Sequence, residues 1–229
     1  MDFLDETSLA STLDRVNESL FLSKPIPVKE KEKVAEWIVS RLGLKGSYFG
    51  LFAPTKQDYE NKTFTFTGEE FNSQASLAHI LGEESMRALN KLEVKTKNIK
   101  DALVTAKNIM EERIRPGEES MGGKTGMFCC GKCSVSYWRS LSSGCLDYPE
   151  ERLSKGIKIL KTLRDGKGKW KRFPFYYTLL GLSDIELPGV NDELRYVGST
   201  MEKSLKNLGR NVKFDSRRKV LLERLLAKI

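Results

Sequence analysis

Residues 155–170, KGIKILKTLRDGKGKW, read as the last turns of a helix that runs into a glycine corner. Ile157, Ile159, Leu160 and Leu163 supply the apolar residues of the helix, and Gly166 and Gly168 break it. Glycine tolerates the left-handed backbone that ends a helix, and an aromatic two residues later folds back onto the last turn. Pro174 then opens the next helix, where its missing N–H costs least. The same Gly-x-aromatic triplet recurs as Gly46-Ser47-Tyr48 and Gly126-Met127-Phe128. Trp37 precedes Tyr48 by 11 positions, and Ile159 precedes Trp170 by the same 11. The middle copy, which follows Ala106 to Ile114, carries the insertion RPGEESMGGK ahead of its glycine. Anchors at 37, 109 and 159 lie 72 and 50 residues apart, which predicts a repeated helix–turn–helix unit with inserted loops.

Away from these corners the pattern is also helical. Leu9, Leu13, Val16 and Leu20 form one stripe, and Ile99, Ala102, Leu103, Ala106, Ile109 and Met110 form another. A third runs through Leu77, Ile80, Leu81, Leu89 and Leu92, capped by Asn72 or Ser73, and a last through Val220, Leu221, Leu225 and Ile229. Only Thr63-Phe64-Thr65-Phe66-Thr67-Gly68 alternates like a strand, so at most a small β-hairpin is expected near 62–72. The predicted fold class is all-α, built of stacked helical hairpins in one domain over 1–229.

The third corner carries a more specific likeness. Lys-Gly, an apolar pair, a long polar side chain at Arg164 and Gly-x-Trp resemble the glutamine–tryptophan repeat of the terpenoid cyclases and protein prenyltransferase β subunits, with Arg164 in the glutamine position. FPFYYTLLGLSDI resembles the inner helix that follows such a turn. The resemblance implies a partial or compact α/α toroid around a central cavity, left as an open arc or closed by a homodimer. It also implies a prenyl-diphosphate-like ligand. The chain departs from the family's chemistry: no Asp-x-Asp-Asp is present, and no His follows the cysteines to complete an Asp, Cys and His zinc set. Catalysis is therefore unassigned.

Composition narrows the classes further. With 229 residues, 39% hydrophobic and 31% charged, the chain reads as globular, and no apolar run is long enough for a membrane span. The opening MDFLDETSLA lacks a basic head and apolar block, so the expected location is cytoplasmic, with reduced thiols. Charge is lopsided. Residues 1–150 hold 20 Lys/Arg against 22 Asp/Glu, whereas 151–229 hold 19 against 9. An anionic partner is expected for the last third, either a small anionic or amphipathic ligand or a nucleic acid.

Two clusters carry the candidate chemistry. In RDGKGKWKRFPFYY, Arg164, Lys167, Lys169, Lys171 and Arg172 crowd beside Trp170, Tyr176 and Tyr177, so an anionic head and an apolar or aromatic body are met together. In FCCGKC, Cys129, Cys130 and Cys133 stand within five positions at the expected start of a helix. Cys130-x-x-Cys133 sets two sulfurs about one turn apart, and a helix N-terminus favours thiolate. Three uses stay open: buried small residues, a metal site (zinc, or none) with Cys145 as a further donor, and redox or nucleophilic chemistry. Lys124, Lys132 and Arg139 are expected to join the same rim if the corners align. Gly122-Gly123-Lys124-Thr125 has Glu118 where a phosphate loop needs its upstream glycine, and it is set aside. His79, the only histidine, is read as a packed helix residue.

Overall fold

Ser8 begins the first helix by accepting the Ser11 N–H, and buried Asp58 reinforces that start from a distance, accepting from the backbone N–H groups of Leu9 and Ala10 and from the Ser8 hydroxyl. The same carboxylate closes a capping box with Thr55, so one side chain starts two helices. The structure, a computed structural model, describes residues 2–71, 73–209 and 212–229. Ten helices occur among them. They are α1 (Leu9–Phe21), α2 (Val28–Val39), α3 (Lys56–Glu60), α4 (Gln74–Leu92) and α5 (Lys97–Met121). The remainder are α6 (Gly131–Ser142), α7 (Pro149–Thr162), α8 (Phe175–Ser183), α9 (Pro188–Lys206) and α10 (Val212–Leu226). The all-α expectation holds.

No strand is found among the described residues. The alternating 63–68 stretch yields one isolated antiparallel bridge, Phe64 with Glu70, in place of a hairpin. Of the two expected caps for α4, Ser73 caps it by accepting the Ser76 N–H, and Asn72 lies outside the described residues. The insertion RPGEESMGGK, expected as loop, continues α5 through Pro116 as far as Met121. A proline there forfeits one backbone hydrogen bond and kinks a helix without necessarily ending it.

Length favours one domain, yet contacts divide the chain into two compact units whose segments interleave along the sequence. The first comprises Met1–Phe66, Glu70–Pro116 and Ser143–Asp147; the second comprises Thr67–Glu69, Gly117–Ser142 and Tyr148–Ile229. In the first, α4 is the central helix, buried on nearly every side between 77 and 89 and packed by α1 and α2. Two of its buried polar residues are joined through α1: Arg87 donates to Asn17, and Asn17 donates to Glu84. In the second unit α6 takes that position, packed by α7 and α8, with α9 and α10 outside them.

Two of the three glycine corners are alike. Gly46 and Gly168 both take left-handed backbone, at φ 91° and 80°, and the equivalent positions Leu42 and Arg164 each form an isolated bridge, to Phe52 and Trp170. The middle corner differs. Gly126 is needed for close approach, because a Cβ there would stand 2.1 Å from the Gly156 nitrogen of α7. The aromatics differ as well: Trp170 is buried, whereas Tyr48 and Phe128 are half-buried.

Candidate functional site

The corner after α7 is a rigid platform. Asp165 accepts the backbone N–H groups of Lys167 (2.7 Å) and Lys169 (2.9 Å) and the Tyr196 hydroxyl (3.1 Å), while the Asp165 N–H reaches the Lys169 carbonyl. These bonds, the one from the Lys169 N–H foremost, hold the Asp165 carboxyl below its ordinary range. Gly168 is pressed on Thr200 of α9, where a Cβ would stand 2.2 Å from the hydroxyl oxygen. With its backbone tied down, the turn presents Lys167 and Lys169 to solvent, followed by exposed Lys171 and by Arg172 at a left-handed φ of 65°.

Not all the expected ligand residues face outward. Arg164 is bidentate to Glu193, at 3.2 and 2.8 Å, and lies over Tyr196. The Trp170 indole N–H donates to the same carboxylate at 2.8 Å. Both therefore build the corner from inside. Tyr177 is buried, its backbone N–H capped by Glu69, and Tyr176 is half-buried under Arg218. Lys167, Lys169, Lys171 and Arg172 remain as the outward cations of the segment.

Most of this unit's structural carboxylates are used internally. Glu118 binds Arg152 through two oxygens, at 2.9 and 3.1 Å, and also accepts the Lys124 ammonium and the Thr125 N–H. Burial alone would push its carboxyl up, but these bonds and the guanidinium charge hold it down to about 2. Glu118 thus occupies the groups of the Gly122–Thr125 loop that would otherwise meet a phosphate. Asp184 takes Arg139, and Asp215 takes Arg218 and the Gly209 N–H. Counted by sequence, the second unit holds 22 Lys/Arg against 13 Asp/Glu, while the first holds 17 against 18. Because each of these acids is paired with a Lys or Arg, the pairing leaves the second unit's excess of positive charge on its remaining residues.

The cysteine corner adjoins this platform. Gly131 lies so close to the Arg172 carbonyl that a Cβ would stand 2.2 Å from it, and Trp138 stacks on Phe173 with ring centroids 5.4 Å apart. The second and third corners therefore meet at Arg172 and Gly131, the latter next in the chain to Lys132. Arg139 instead turns to Asp184, and Lys124 to Glu118. Ser134 pins the loop: its hydroxyl accepts the Phe128 N–H and donates to the Cys130 carbonyl at 2.8 Å. Cys129 and Cys130 are exposed, which removes the buried-residue reading for these two, and Cys133 is buried. The Cys130 and Cys133 sulfurs stand 3.4 Å apart. Cys145 belongs to the first unit, where it is buried against Met86 and Ser143, and burial foremost pushes its thiol up. His79 is buried in that unit too, stacked on Tyr48 at 4.1 Å and 3.4 Å from Glu83.

A cleft of about 320 Å³ in the second unit is lined by Gly122–Gly126, Lys155, Lys158 and Ile159. The sequence reading missed Asp165, Tyr196 and Thr200, which fix the platform. Asp165 was legible as an Asx turn, an Asp whose side chain bonds backbone two residues on. No family model matches the sequence, and no curated protein or solved structure matches it. None of the helices is long and apolar enough to cross a membrane among the described residues.

Proposed function

We propose that the second unit binds an extended polyanion, with a nucleic acid backbone as its partner. The observation that supports this is a run of exposed and half-buried basic residues, a ridge traced through the backbone contacts Gly131–Arg172 and Lys167–Thr200. It runs from Lys132, beside the Gly131–Arg172 contact, along Arg172, Lys171, Lys169 and Lys167. From Lys167, whose carbonyl accepts the Thr200 hydroxyl, it reaches exposed Lys203 one helical turn further along α9. Lys167, Lys169, Lys171, Arg172 and Lys203 form no ion pair among the described residues. A fixed backbone bearing mobile lysines suits phosphates at varied positions, and charge rather than base identity sets the affinity. Because Trp170 and Tyr177 are buried, stacking contributes little, and single and double strands bind through the same lysines.

Fluorescence anisotropy with a labelled oligonucleotide across a salt series tests the reading. Six cations on phosphates predict a slope of log K against log salt of about −4 on single strands and about −5 on duplex. A shallow slope, with tighter binding of a short prenyl diphosphate, would overturn it and support instead a small amphipathic ligand held by the toroid-like arrangement that the glycine corners resemble.

A further inference from the structure

We infer that Cys129, Cys130 and Cys133 form a thiolate site for a soft divalent cation, zinc by preference, independently of the polyanion ridge. Two separations carry the inference. Cys130 and Cys133 sulfurs stand 3.4 Å apart, and Cys129 and Cys133 sulfurs lie within 4.8 Å. A tetrahedral zinc with sulfur at about 2.3 Å needs sulfur pairs about 3.8 Å apart, so Cys133 stands within reach of sharing a cation with each of the other two. Cys129 reaches the cluster on a left-handed backbone, φ 58°, that a side-chain-bearing residue seldom adopts.

Their surroundings favour an anionic cluster. Three thiols that bind a dication release three protons and leave a complex of net charge −1, with one tetrahedral position left to a further donor. Cys130 lies at the start of α6, its carbonyl accepting the Ser134 N–H at 2.8 Å, so the positive end of that helix meets the cluster. Lys132, next in the chain to Cys133, adds positive charge nearby, and the Ser134 hydroxyl holds the loop between Phe128 and Cys130. Solvent reaches Cys129 and Cys130, which gives the cation an entry path.

Titrating reduced, metal-free full-length protein with cobalt(II), then zinc(II), tests this directly. One equivalent of cobalt is expected to produce sulfur-to-metal charge-transfer absorption, and zinc is expected to abolish it. Cys129→Ser and Cys130→Ser, at exposed positions that keep the fold, should each remove about a third of that absorption and weaken binding more than about tenfold. Cys145→Ser should change neither. Absence of the band in fully reduced protein, or a band untouched by Cys129→Ser and Cys130→Ser, would overturn the site. So would oxidation of Cys130 and Cys133 to a disulfide whose reduction restores no metal uptake.

Discussion

At the scale of single residues, Glu118 and Glu193 organise their surroundings. Glu118 ionises at about 2 rather than the ordinary 4.5, so folding favours its charged form. Its stabilising contribution is complete above pH about 4.5 and drains away as pH falls towards 2, amounting at neutral pH to at most about 3 kcal/mol. Glu118→Gln should flatten the stability profile across that window. It should also destabilise the protein at pH 7 by about 3 kcal/mol, because Arg152, 1% exposed, loses its counter-charge. Chemical denaturation at pH 7, 4 and 3 checks both. Trp170 is 4% exposed, and its indole N–H satisfies Glu193, so Trp170→Ala should cost about 3 kcal/mol or more. Trp170→Phe, which keeps one aromatic ring but loses the rest of the indole and its N–H bond, should cost less than the alanine change, about 2 kcal/mol. Equal midpoints for Phe and Ala would mean that the ring is not packed as described. The sequence marked Trp170 as a corner aromatic, but not its partner, because Glu193 lies 23 residues on and nothing local couples the two.

Among elements, close glycine contacts fix how helices meet. A Cβ on Gly156 of α7 would stand 2.6 Å from the Trp138 ring nitrogen of α6 and 2.8 Å from the Gly126 carbonyl that this nitrogen donates to. Gly156→Ala should therefore destabilise by about 1–3 kcal/mol, although alanine is the better helix former, and thermal melting reads the sign. A rise in midpoint would show that α6 and α7 are not so closely packed. Helical stripes were legible: Leu9 to Leu20 gave α1, Leu77 to Leu92 gave α4, and Pro174 marked the start of α8. The path of α5 was not, since Pro116 and Gly117 are local stop signals that the tertiary fold overrides. Thr63–Thr67 alternates like a strand, yet a strand needs a partner of similar length, and only Phe64 and Glu70 pair. Spacing placed the Gly-x-aromatic corners, but could not separate Gly168, which turns the chain, from Gly126, which admits a neighbour.

For the whole molecule, charge is the property that sequence and structure share. The excess of Lys/Arg beyond residue 150 was plain in the sequence, and Lys167, Lys169, Lys171 and Arg172 were named from it. That Arg164 would turn inward to Glu193, and that Lys203 would extend the ridge, depended on which helices pack together and so was not readable from spacing. The cysteines were legible as a cluster, whereas their division into exposed Cys129 and Cys130 and buried Cys133 required the fold. The most direct measurement is the salt dependence of oligonucleotide binding by Lys169→Glu/Lys171→Glu/Arg172→Glu, set beside Lys29→Glu/Lys45→Glu in the first unit. The account predicts that the triple variant loses about three phosphate contacts, flattening the slope by about 2 to 3, while the control keeps the parent's affinity and slope. Equal losses in both variants, or no loss in the triple variant, would contradict it.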